Sequence, residues 1–125
     1  GSVLRLSGLY GPGREFLLRK ARAGEPGEPR WTNRIHVQDA ATALSHLLDL
    51  RNPQPLYLGN DDRPALEPEV LAWVRDAEGL PPIAPAGGPE RGRRVRNARL
   101  RGSGWVPGHE DYRSGYADLL AKPGV

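Results

Sequence analysis

Val3-Leu-Arg-Leu-Ser-Gly-Leu-Tyr-Gly-Pro-Gly-Arg14 decides how this chain is read. Val3–Leu6 is short, apolar and opened by a β-branched residue, which predicts a strand. Ser7-Gly8 predicts a bend, and Tyr10-Gly11-Pro12-Gly13 cannot continue regular structure. A helical pattern starts at Glu15. A strand that runs into a Gly-rich loop and then a helix is how open α/β sheets carry ligand loops beyond the carboxyl ends of their strands. Glycine lets the backbone approach a ligand closely, and Arg14 sets a permanent cation just past the bend. The same pattern also serves as a plain tight turn.

Working outward, residues 15–23 predict a short helix with Phe16, Leu17 and Leu18 inward, ended by Gly24. A two-proline loop precedes a strand over residues 34–37. Asp39 stands at the start of the clearest helix, where a carboxylate caps free N–H groups and meets the positive dipole end. Ala40, Ala43, Leu44, Leu47 and Leu48 repeat there at helical spacing. Residues 56–58 predict a second short strand, ending in the turn-rich Asn60-Asp61-Asp62-Arg63-Pro64. Glu67-Pro68 opens a further helix, with proline where its missing N–H does no harm. Val70, Leu71, Val74 and Ala77 form its apolar stripe. Residues 80–92 read as irregular and 93–96 as a third short strand. Asn97 reads as the cap of a brief helix, and Glu110 or Asp111 as the start of a last one. The long helical crossover between Val3–Leu6 and residues 56–58 makes those two strands parallel neighbours. Their shared C-terminal ends would then open a cleft collecting Ser7, Gly8, Tyr10 and Asn60.

At 125 residues the chain is expected to form one domain, residues 3–125, with a modest core. Gly1-Ser2 reads as a tag-cleavage scar. With no cysteine, disulfides and thiolate metal sites are excluded. His36, His46, His109 and the Asp61-Asp62 pair lack metal-ligand spacing, so no metal site is expected. No apolar run approaches membrane-spanning length and no signal pattern opens the chain, so the default expectation is cytoplasmic, without a membrane partner. The net charge is +3, and the basic residues are arginines apart from Lys20 and Lys122. Arg91, Arg93, Arg94, Arg96, Arg99 and Arg101 crowd residues 91–101. They read as a solvated basic face, as anion ligands, or as a patch for nucleic acid. The last reading is weakened because no aromatic residue is interleaved with them. Arg34 and His36 alternate with Ile35 and Val37, so they share one face of their strand. If that face lines the cleft, Arg34 binds an anion and His36 donates a hydrogen bond; otherwise it is solvated. Tyr10 is either a packed aromatic or a ligand contact.

Three segments, in order, resemble the extended short-chain dehydrogenases/reductases, the NAD-dependent epimerase/dehydratase family. Leu4-Arg5-Leu6-Ser7-Gly8-Leu9-Tyr10-Gly11-Pro12 is similar to that family's LR-x-x-N-x-YGP segment. Asn33-Arg34-Ile35-His36-Val37-Gln38-Asp39-Ala40-Ala41 is similar to its R-x-x-H-V-D-D-x-A strand–helix junction. Asn97-Ala98-Arg99-Leu100-Arg101, with Gly104-Trp105-Val106-Pro107, resembles its closing N-A-R-L-R and GW-x-P, most like the small atypical NAD(P)-dependent oxidoreductases. What the segments match is the C-terminal part of such an enzyme. The fold so implied is α/β: the C-terminal portion of a Rossmann-like doubly wound parallel sheet plus a small mixed α/β substrate lobe.

The resemblance also implies chemistry. The full-length parent would use NAD or NADP, act on a small molecule and could form a homodimer. The family's catalytic Tyr precedes its Lys by four positions, but here Phe16 and Asp118 stand four before Lys20 and Lys122. No glycine fingerprint of a dinucleotide loop is present either. The chain alone is therefore expected to carry no catalytic residue, to be inactive and to bind no dinucleotide tightly. Leu6 and Ser7 map onto backbone contacts with the nicotinamide end of the cofactor. The family's substrate-contacting Asn falls on Gly8, which has no amide to offer a nucleotide-sugar. Arg91 or Arg93 matches the arginine that meets a substrate diphosphate. The expected substrate-binding set is Gly8, Tyr10, Arg14, Arg34, His36, Arg91 and Arg93, taking an anionic small molecule. A non-catalytic NAD(P)-sensing or ligand-binding module and an Arg-rich nucleic-acid-binding domain are the alternatives.

Overall fold

A computed structural model describes residues 1–121; Lys122 lies outside the described residues. In chain order the elements are β1 (Val3–Leu6), β2 (Gly8–Tyr10), α1 (Phe16–Arg22), β3 (Trp31–Thr32), β4 (Arg34–His36), α2 (Val37–Asp49), β5 (Leu56–Gly59), β6 (Ala65–Leu66), α3 (Glu67–Ala77), α4 (Ala98–Gly102) and α5 (Tyr112–Ala121). β1 and β5 pair in parallel, Val3 opposite Leu56 and Leu6 opposite Gly59, as the helical crossover between them requires.

At Ser7 the chain changes partner. The Ser7 N–H still donates to the Gly59 carbonyl (2.9 Å), but the Gly8 N–H donates to Asn33 (3.2 Å). β2 then runs parallel to β4, with Tyr10 opposite His36. Gly8, expected in a bend, and Tyr10, expected outside regular structure, are thus in a strand, because β4 supplies backbone partners that the local Gly content does not reveal. β3 and β6 form a short antiparallel pair.

Two apolar clusters hold these elements. Leu18 of α1, Val70 and Val74 of α3 and Tyr112 and Tyr116 of α5 enclose Tyr10 in one. Ile35, Ala43, Tyr57, Leu100 and Trp105 fill the other, beneath α2. The stripe read on α3 is buried at Val70, Leu71 and Val74. Elsewhere spacing misled. Phe16 is 63% exposed, Leu44 51% and Leu48 86%, and Ala77 is exposed too. Periodicity marks a helix, but which face is covered depends on what packs against it.

Three further expectations are corrected. Asp39 does not cap its own helix. The α2 cap is His36, whose Nδ1 accepts from the Gln38 N–H (3.1 Å). Asp39 is buried in the first turn, where its carboxylate accepts from the Gly108 (2.7 Å) and His109 (2.9 Å) N–H groups and clamps the C-terminal loop to α2. Residues 93–96 form no strand: their backbone is held by the side-chain amides of Asn33 and Asn60 instead of a ladder. Asn97 makes no cap bond to α4 and donates to Asn60 O and Asp62 Oδ1.

Two substitutions test this packing. Asp39→Ala leaves two N–H groups without their acceptor and should lower the unfolding free energy by about 1–3 kcal/mol in urea; an unchanged midpoint and slope would remove the clamp assignment. Gly115 lies in α5 directly against the Tyr10 ring, and an added Cβ would fall inside that ring's van der Waals shell. Gly115→Ala should therefore destabilise by about 1–3 kcal/mol through overpacking. The usual helical gain for Gly→Ala, about 1 kcal/mol, has the opposite sign, so a raised melting temperature would refute the contact.

Candidate functional site

A cavity of about 260 Å³ opens beside β2, with Gly8, Tyr10, Arg14, Arg30, Arg34 and Tyr116 in its wall. Its apolar side is Leu9, Leu17 and Phe16, the last exposed at 63%. Each element brings its residue for a local reason. Gly8 and Tyr10 share one face of β2 because strand residues alternate, and Leu9 between them borders the cavity as well. Arg30, Thr32 and Arg34 follow the same period of two and all reach the same cavity. The Gly11–Gly13 turn closes on itself, with the Gly11 and Arg14 N–H groups each donating to the other residue's carbonyl (3.2 and 2.9 Å), and it sets Arg14 at the wall.

Arg34 is the unusual member. It is 3% exposed and makes no ion pair within the described residues. One guanidinium nitrogen donates to the Thr32 hydroxyl, while NH1 is buried without a hydrogen-bond partner in the protein. The guanidinium also lies 5.5 Å from the centre of the Tyr112 ring. A buried cation is costly unless it is paired. Arg30 differs, since Glu67 holds it through both Nε (3.0 Å) and NH2 (2.5 Å). The phenols bring no negative charge: burial pushes Tyr116 up to about 12 and carries Tyr10 further above its ordinary value, Asp61 adding to the latter. Both hydroxyls are donors, and that of Tyr10 reaches the Asp111 carbonyl at 3.3 Å.

Behind Arg34 lies a second polar group. The Asp61 N–H donates to the Arg34 carbonyl (2.7 Å), and Asn60 and Asp61 are each 1% exposed. Asn60 Oδ1 and Asp61 Oδ2 are buried without partners, like Arg34 NH1. Burial raises the Asp61 carboxyl from 3.8 to about 7; the Arg63 N–H and Arg34 oppose this, and Asp111 and Asp62 reinforce it. Asp61 also borders a larger, separate cavity of about 740 Å³ with Asp62, Arg93, Arg94, Arg96 and Asn97.

Of the residues expected at a site, Gly8, Tyr10, Arg14 and Arg34 come together in the smaller cavity. His36 lines neither cavity described here; its ring caps α2 and stacks on His109 at 4.2 Å. Arg93 lies in the larger cavity, and Arg91 pairs with Glu28. Leu6 is 38% exposed at the end of β1, and the Ser7 N–H belongs to the β1–β5 pairing. Arg30, Tyr116, Asp61 and Glu67 were not assigned to a site from the sequence, Asp61 having been weighed only as a metal ligand. The alternation Arg30, Thr32, Arg34 was a usable signal for the first; nothing local marks the other three. Among the described residues no three His, Asp or Glu side chains cluster so as to hold a metal, and no helix is long and apolar enough to cross a membrane.

Among solved structures the chain is similar to a protein of Methylobacillus flagellatus described as an NAD-dependent epimerase/dehydratase. The identity is 38% over 96% of this chain and 46% of that one, with a TM-score of 0.86. A conserved protein of unknown function from Silicibacter pomeroyi is 28% identical over 96% of this chain and 48% of its own, TM-score 0.79. The dTDP-glucose 4,6-dehydratase of Bacillus anthracis, solved with NAD, shares the fold at 17% identity, TM-score 0.73, over 94% and 42% of the two chains. This chain thus spans under half the length of the structures it matches. No family model and no curated protein matches it. In fold as in sequence, the chain resembles the NAD-dependent epimerase/dehydratase family: an α/β arrangement of Rossmann-like kind.

The Asp61 carboxyl gives the site a pH signature. Its folded pKa lies above the unfolded one, so between about 4 and 7 the folded state keeps a proton that the unfolded chain releases. Stability from this group is therefore lost as pH rises through that window, on the order of 2–4 kcal/mol in all. Asp61→Asn keeps an acceptor for the Arg63 N–H, so it should flatten the fall and exceed the parent's stability at alkaline pH. Chemical denaturation across the pH range checks this; an unaltered profile in the variant would assign the slope to other groups.

Proposed function

We propose that this chain is the C-terminal, substrate-lobe part of an NAD(P)-dependent oxidoreductase or epimerase/dehydratase of the extended short-chain type. Its role is to bind a small anionic substrate in the cavity beside β2. The observation that carries this is the likeness to the Methylobacillus protein along nearly the entire chain, which includes the segments that build the cavity. Gly8, Tyr10, Arg14 and Arg34 are the substrate residues in this reading. Leu6 and Ser7, where β1 ends and the chain changes partner, would face the nicotinamide end of NAD or NADP.

The residues present do not fit a dinucleotide holder by themselves. In the one glycine-rich turn of the β1–α1 region, the Gly11 and Arg14 N–H groups are spent on each other's carbonyls, so they cannot cradle a pyrophosphate. Gly11 is small for another reason: a Cβ there would meet Val37 Cγ2 at 2.7 Å. The chain also offers no Tyr four residues before Lys20, where Phe16 stands. When bound, the cofactor supplies hydride exchange; what this chain contributes is the charge and shape of the substrate pocket. A second reading is a ligand-binding module of the same superfamily that does no chemistry.

Titration calorimetry of the chain with NAD and NADP should show no binding in the low micromolar range, and mixing it with NAD and candidate hydroxy substrates should give no absorbance of reduced cofactor. Tight dinucleotide binding by this chain alone would overturn the division of labour. The reading frame upstream of Val3 separates enzyme from module: a glycine fingerprint and a Tyr-x-x-x-Lys pair support the first.

A further inference from the structure

We propose that the cavity beside β2 is built for a small monocarboxylate with an apolar body, not for a nucleotide-sugar. The inference rests on the reading of this lobe as the substrate side and names the substrate class. The first argument is charge. Three arginines border the cavity. Arg30 is balanced by Glu67. Arg34 has a buried NH1 without a partner and only a neutral hydroxyl on its other nitrogen, and Arg14 makes no ion pair among the described residues. The neighbouring Asp61 carboxyl, raised by burial to about 7, makes no ion pair with Arg34. Arg14 and Arg34 therefore bring the cavity positive charge that no carboxylate within ion-pair distance balances, which favours an anionic ligand.

The second argument is size and polarity. About 260 Å³ falls below the roughly 300–1,000 Å³ of pockets for drug-sized ligands. A nucleoside diphosphate with a sugar exceeds that. Leu9, Leu17, Phe16 and the protonated rings of Tyr10 and Tyr116 make most of the remaining wall, and the Thr32 and Asn33 side chains beside them are already engaged with Arg34, Ala65, Arg93 and Val95, which suits a hydrocarbon or aromatic body attached to the acid. Gly8, where the family carries an Asn, offers no side chain to a sugar hydroxyl.

Calorimetric titration of the chain with isovalerate, benzoate and phenylacetate tests this, with phenylacetamide as neutral isostere, inorganic phosphate as bare anion and UDP-glucose as the large alternative. Saturable binding of at least one carboxylate is expected, with the amide about tenfold weaker or worse. Phosphate and UDP-glucose should both bind more weakly than that carboxylate. Because Arg34 is buried, Arg34→Gln is read beside Arg14→Gln, an exposed position whose change leaves the fold intact. Arg14→Gln should weaken the carboxylate severalfold while leaving the melting temperature unmoved. Equal affinity for acid and amide, no saturable binding of any carboxylate, or tighter binding of phosphate or UDP-glucose would each overturn the assignment. A failure here leaves the NAD and NADP titrations of the chain, and the test of the upstream reading frame, untouched. Carboxylate binding by this chain alongside an upstream frame without a dinucleotide fingerprint would refute the enzyme reading alone.

Discussion

The small lobe depends on one buried carboxylate. Glu67, the first residue of α3, is wholly buried. Its Oε1 accepts from the Glu28 N–H and from Lys20 Nζ, both at 3.0 Å, and its Oε2 takes the Arg30 guanidinium. Burial alone would raise its pKa, but the Glu28 N–H, Arg30 and Lys20 outweigh it and hold the group below the usual carboxylate range. A buried charge is tolerable only when its lone pairs are filled in this way. Through those bonds one side chain joins α1, the 24–30 loop and α3, and the Arg30 backbone carbonyl in turn accepts the Glu67 N–H. The position of a cavity arginine is thus a by-product of how the lobe is tied together.

The second constraint is the change of partner at Ser7-Gly8. One continuous stretch serves two parallel pairs, β1 with β5 and then β2 with β4. The backbone must diverge between them, and the divergence opens room beside β2 that the side chains of α1 and α5 only partly fill. Crevices at such points are where open α/β sheets take ligands. Arg34 lines that room, with one guanidinium nitrogen left without a hydrogen-bond partner in the protein. On its far side the Tyr10 ring is packed closely enough that Gly115 has no room for a methyl group, so the open volume is not general looseness.

The arginine-rich segment shows how the same composition serves structure. Arg91 pairs with Glu28, Arg94 lies 4.7 Å from the Trp31 ring centre, Arg99 donates to the Leu56 carbonyl and Arg101 pairs with Asp62. These arginines fasten an irregular stretch that has no ladder of its own. Arg93 and Arg96 are left to the larger cavity. A nucleic-acid surface would present such residues outward to phosphates, and most of these are occupied within the chain.

Local covalent logic was legible. Val3–Leu6 and the strand from Leu56 could be read as parallel because a helical crossover leaves no other pairing, and the α3 stripe at Val70, Leu71 and Val74 followed from spacing. Gly8, Tyr10, Arg14 and Arg34 could be nominated from residue type and from the family motifs. What sequence spacing could not carry was the identity of each group's distant partner. It could not say that β4 would turn residues 8–10 into a strand, that Asp39 would serve a loop near residue 108, or that Phe16 and Leu48 would lie open while Arg34 was sealed in. Periodicity and turn chemistry act over a few residues, and they determined which elements form. Desolvation and hydrogen-bond pairing are settled between residues tens of positions apart, so only the tertiary structure decided which charge is buried without a partner.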